Sequence, residues 1–124
     1  MMEIQDWIIG DKMHSHFVFK VNYGSHESVK GMLRRSNVPR QSGLLDIQVI
    51  QIESSIHRHG LAYRFIRDLE SFCNDLGLGV EIENCLTDGS YNLGQRLMRR
   101  NSWTRKNSCY YSPDKQKIGK IKND

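Results

Sequence analysis

Residues 44–84, LLDIQVIQIESSIHRHGLAYRFIRDLESFCNDLGLGVEIEN, carry the pattern that decides the fold. In 44–52, Leu45, Ile47, Val49 and Gln51 fall on one face, and Leu44, Asp46, Gln48, Ile50 and Ile52 on the other. Two largely apolar faces with polar breaks predict a central strand covered on both sides. Glu53 to Gly60 is a short polar loop. Beyond it, Leu61, Ala62, Phe65, Ile66, Leu69, Phe72, Cys73 and Leu76 recur at helical spacing, with Gly77 where a left-handed stop belongs. Val80 to Glu83 then alternates as a second strand. A strand, a helical crossover and a strand in this order predict a parallel βαβ unit.

The loop is suited to a phosphate-bearing ligand. A strand that enters a helix through a glycine-bearing turn leaves backbone N–H groups free at the positive end of the helix dipole. Here it reads His57-Arg58-His59-Gly60-Leu61-Ala62. Gly60 lets a ligand approach the backbone, Ala62 keeps the first turn thin, and Arg58 adds charge. An ordinary βα turn would carry the same pattern by itself.

Outward from this unit, residues 3–9 alternate loosely through Ile4, Trp7 and Ile9, which predicts a short edge strand. Residues 16–23 place Phe17, Phe19 and Val21 on one face and read as a strand. Residues 27–35 fit either a strand or a helix, since Val29, Met32 and Leu33 have helical spacing and Gly31 weakens a helix. Asn37-Val38-Pro39 forces a turn. After Asn84, Asp88 or Ser90 caps a helix over 91–101 with Leu93, Leu97 and Met98 as its stripe. Trp103 to Tyr111 reads as one aromatic-rich strand, closed by Pro113.

The chain has 124 residues, enough for one domain: 1–113 as a single folded unit and 114–124 as a basic tail. Its 38% hydrophobic and 26% charged content is that of a soluble globular protein. No stretch approaches the roughly 20 apolar residues of a membrane span, and no leader pattern opens the chain. The three cysteines Cys73, Cys85 and Cys109 fit reduced thiols and a cytoplasmic location. His14-x-His16 and His57-x-His59 lack the spacing of a metal site, so no metal is expected. The net charge is +4, and Arg96, Arg99, Arg100, Arg105 and Lys106 cluster late in the chain. That cluster would attract nucleic acid or another polyanion.

Residues 44–103 resemble the acetyl-CoA-binding core of the GNAT superfamily of N-acetyltransferases. The family's Arg/Gln-x-x-Gly-x-Gly/Ala loop falls on His57-x-x-Gly60-x-Ala62, and its helix ends in Leu-Gly-Leu, at Leu76-Gly77-Leu78. Met98 to Trp103 occupies the place of the family's Tyr-x-x-x-Gly-Phe-like stretch. The resemblance implies an α+β (α/β) fold. Its mixed, twisted sheet would be mostly antiparallel around the parallel βαβ unit, with a reduced N-terminal part. It also implies acetyl transfer from acetyl-CoA to a primary amine on a small molecule, a protein or an RNA-attached group. Ile50 and Ile52 would align the acetyl carbonyl. His57, Arg58, His59, Gly60, Leu61 and Ala62 would hold the pyrophosphate, with Asn84 nearby. Asp46 is the first candidate base and Glu53 the second; alternatively, Asp46 is a strand residue meeting solvent or a basic partner. Met98 stands where the family often has a tyrosine acid, and a thioether cannot donate a proton. A non-catalytic binding module with the same fold and a basic surface is the competing reading. A homodimer would suit a sheet edge left short.

Overall fold

A computed structural model describes residues 1–10, 16–55, 60–83 and 88–114. His57, Arg58, His59, Asn84, Cys85, His14 and the tail from 115 onward lie outside the described residues. In chain order the elements are α1 (Met2–Ile9), β1 (Phe17–Asn22), β2 (Ser28–Arg35), β3 (Leu45–Ser54), α2 (Leu61–Asp75), β4 (Leu78–Ile82), α3 (Asp88–Asn101), β5 (Thr104–Lys106) and β6 (Cys109–Tyr111).

The strands form one six-stranded sheet in the order β1-β2-β3-β4-β6-β5. Every neighbouring pair is antiparallel except β3–β4, which runs parallel from Leu45↔Leu78 to Val49↔Ile82. The fold is mixed α+β with a mostly antiparallel sheet, and α2 is the crossover of its one parallel pair.

Several sequence expectations are corrected. Residues 3–9 form a helix, not an edge strand, because the buried side chains are Ile4, Trp7 and Ile8. Their i, i+3, i+4 spacing is helical, and Ile9 is left exposed. Residues 27–35 resolve as strand β2, with Val29 and Leu33 buried on one face. The segment from Trp103 to Tyr111 is a hairpin of two short strands that turns at Asn107, which has φ +58. Helix α3 starts at Asp88, three residues before the expected 91.

Helices cover one face of the parallel pair, and on the other Arg40 and Leu44 of the 36–44 segment lie over Asp46 and Gly79. Trp7 of α1 stacks on Phe17, whose register partner is Leu33, and Phe65 of α2 stacks on Phe19. Gly94 of α3 lies against the Tyr110 ring, whose partner is Ile82. Paired strand residues share a face, so all three helices pack on the face of Leu33, Val49 and Ile82. Their side chains join one core with Val29, Ile47, Phe65, Leu69 and Leu97. The opposite face carries Lys30, Arg34, Gln48, Glu81 and Tyr111 and has no helix over it among the described residues.

A bulge in β3 changes which residues share its faces. Leu33 pairs with Val49 and Met32 with Gln51, so Ile50 is an extra residue. Downstream of it the alternation reverses. Ile52 therefore lies on the helix face with Val49 and packs against the core. It does not share a face with Asp46, as unbroken alternation had implied. Gly31 sits opposite Ile52, and a Cβ there would strike the Gln51 carbonyl.

Candidate functional site

The parallel ladder ends early. After Val49↔Ile82 a single further bond joins the Glu83 N–H to the Val49 carbonyl at 3.0 Å. Strand β3 then runs on to Ser54 paired only with β2. From the Ile50 bulge onward its β4-side edge has no strand partner among the described residues. This opening lies at the C-terminal end of the one parallel pair, where α/β sheets bind ligands.

Gly60 begins α2 in the left-handed conformation, φ +63 and ψ +27, and among the described residues no side chain caps the helix. The first-turn N–H groups at Leu61 and Ala62 therefore keep the positive end of the helix dipole uncapped. Leu61 is buried in the core and Ala62 is half-buried. The Arg96 guanidinium, carried in from α3, lies against Gly60 so closely that a Cβ there would be 2.8 Å from Nη1. The same guanidinium sits over the Tyr63 ring, 3.9 Å from its centroid. The Tyr63 hydroxyl in turn donates to Asn101 Oδ1 at 2.8 Å. Helices α2 and α3 are thus fastened where Arg96 adds charge to the helix start. Arg96 is half-buried at this junction, whereas Arg99, Arg100, Arg105 and Lys106 are exposed. The linear sequence grouped all five together.

The other end of the pair is closed. Asp46 is 4% exposed, and its carboxylate meets Arg40 at 2.8 Å through Oδ1 and 3.1 Å through Oδ2. Arg40 also donates to the Ser112 carbonyl at 2.5 Å and the Val80 carbonyl at 3.4 Å, and it lies over Tyr111. Ser112 Oγ accepts from the Val80 N–H at 2.8 Å. One guanidinium thereby binds β3, β4 and the exit of β6. Asp46 has the basic partner the sequence allowed for, and it sits roughly 13 Å upstream of Ile50 at ~3.3 Å per strand residue. Glu53, the second candidate base, is 63% exposed and lies 3.9 Å from Lys30.

Two further carboxylates lie between these ends on the face without helices. Glu83 receives two 2.9 Å hydrogen bonds from Arg34 Nη2 and shares another with Glu81. Glu81 is 7% exposed and accepts a 3.4 Å hydrogen bond from Gln48 Nε2. Burial pushes the Glu81 carboxyl up to about 7, and the negative charges of Asp46 and Glu83 add to this against the Gln48 hydrogen bond. The Tyr111 hydroxyl, on the same face, is raised by burial and then by Glu81. Neither Glu81 nor the placement of Arg96 was read from the sequence. Glu81 looked like one member of an alternating strand, and the contact of Arg96 joins positions 36 residues apart.

On the helix face, Cys73 is fully buried, and loss of solvation pushes its thiol up to about 12. It is a core side chain, not a nucleophile. Met98 packs against the core, with its sulfur 3.9 Å from Gln95 Nε2. No protein-family model matches the chain, and no curated protein matches it.

Proposed function

We propose that this chain is a GNAT-like N-acyltransferase that moves an acetyl group from acetyl-CoA to a primary amine. The observation that carries the reading is the uncapped start of α2 at Gly60, with Arg96 against it, at the C-terminal end of the parallel pair. The backbone N–H groups and the guanidinium offer a pyrophosphate both geometry and charge. The early end of the β3–β4 ladder and the Ile50 bulge support a thioester lying between the strands, with Ile50 and Ile52 beside it. The face without helices supports approach of the acceptor beside the downstream end of the pair. His57, Arg58, His59 and Asn84 complete the expected cofactor set from the sequence alone.

Thermal melting with acetyl-CoA tests this. At 100 times the dissociation constant the ligand adds about 2.7 kcal/mol, a rise of several degrees for a chain of this size. Arg96→Ala should remove most of the rise, measured against the variant's own unliganded transition. No shift at millimolar acetyl-CoA overturns the reading. The exposed cluster Arg99, Arg100, Arg105 and Lys106 supports the second reading, a module that binds nucleic acid. A salt-sensitive gel shift with RNA would favour it.

A further inference from the structure

On the acyltransferase reading above, we propose that Glu81 is the catalytic residue that takes the proton from an ammonium acceptor reaching the end of the parallel pair from the face without helices. Glu81 sits one residue before Ile82, the last rung of the parallel ladder, next to where the two strands part. It shares the face without helices with Gln48, its register partner on β3, and with Tyr111, its partner on β6, and is 7% exposed there. A proton acceptor must be available to take up charge, and the surroundings keep Glu81 so. The nearby cation on β2, Arg34, is committed to Glu83 by two hydrogen bonds and to Gln48 by a third of 2.7 Å. The cation of the 36–44 segment, Arg40, is committed to Asp46. Among the described residues Glu81 accepts from the amide of Gln48, shares a hydrogen bond with Glu83 and faces the like charges of Asp46 and Glu83, with no cation of its own. A base poised near neutrality has the driving force and the ionised fraction that proton transfer needs.

The step balances without another reactant. The ammonium gives one proton to the Glu81 carboxylate, and the freed nitrogen lone pair attacks the thioester carbonyl carbon. The C–N bond forms and the C–S bond breaks. The nitrogen then gives its second proton to the departing thiolate, leaving amide, free thiol and protonated Glu81. Met98 is not required as an acid in this scheme.

The test uses the full chain and methylamine, a minimal ammonium acceptor, with release of free thiol from acetyl-CoA as the rate. In the wild type, amine-dependent release should rise with pH and level off near pH 7. Glu81→Gln should lower the rate at least ~100-fold and lose the levelling. Glu81→Asp should recover part of both. The thermal shift with acetyl-CoA should stay unchanged in each variant, which separates lost chemistry from lost folding or binding. A wild-type rate and pH profile in Glu81→Gln overturns the proposal and leaves the cofactor reading standing. So does the absence of amine-dependent release from a wild type that binds acetyl-CoA. A wild type that does not bind acetyl-CoA overturns both.

Discussion

The two ends of the β3–β4 pair use the same materials in opposite ways. At the upstream end, Asp46 is buried with Arg40, and that guanidinium also reaches Val80 and Ser112. Charge, counter-charge and backbone carbonyls are matched, and three strands are held together. At the downstream end the ladder stops, β3 bulges, and α2 starts without a capping side chain among the described residues. Glu81 is buried there nearly as deeply as Asp46, yet its neighbouring cations are engaged elsewhere. A buried carboxylate with its own arginine holds a fold together, whereas one deprived of it keeps a protonation equilibrium near neutrality.

The largest expected effect breaks the closed end. Arg40→Ala leaves Asp46 buried without its partner and should cost about 3–5 kcal/mol in urea unfolding. A loss under about 1 kcal/mol would mean that the clamp does not hold the strands. A smaller effect sharpens the contrast at the open end. The folded Glu81 carboxyl titrates at about 7, above its ordinary 4.5, so between these values the folded state binds more protons than the unfolded state. Stability attributable to Glu81 is therefore present below pH 4.5 and declines as pH rises toward 7, by at most about 3 kcal/mol. Melting of Glu81→Gln from pH 4.5 to 8 should lack that decline and should exceed the wild type at pH 8. An identical decline in both would assign the pH dependence to other groups. The smallest effect concerns the exposed Lys30–Glu53 pair at the far end of β3. Lys30→Ala should change stability by no more than about 0.5 kcal/mol, since water screens such a pair. A loss above 1 kcal/mol would show that the open end, too, is held by charge.

The parts legible in the sequence were those set by local pattern. The α2 stripe from Leu61 to Cys73, the stop at Gly77 and the alternation of Phe17, Phe19 and Val21 all emerged where expected. The parts that were not legible depend on what meets them in space. No glycine or proline marks the bulge at Ile50, so unbroken alternation put Ile52 on the wrong face. Trp7 and Ile8 are adjacent in sequence, and only docking on β1 distinguishes their helical stripe from a broken alternation. The site was half visible. Gly60 declared itself through its place between strand and helix. Arg96 and Glu81 acquired their roles from partners on other elements: Gly60 and Tyr63 for the first, Arg34's commitment to Glu83 for the second.

Gly60 and Gly77 bracket the same helix, both with left-handed backbones, yet they face different prospects as the sequence drifts. Around Gly77 nothing lies within 4 Å of an added Cβ, so asparagine, which tolerates that conformation, could take its place at modest cost. At Gly60 the same exchange would meet the Arg96 guanidinium as well. Positions 60 and 96 are therefore coupled in space: a side chain before α2 would require the flexible Arg96 guanidinium to move off the helix start.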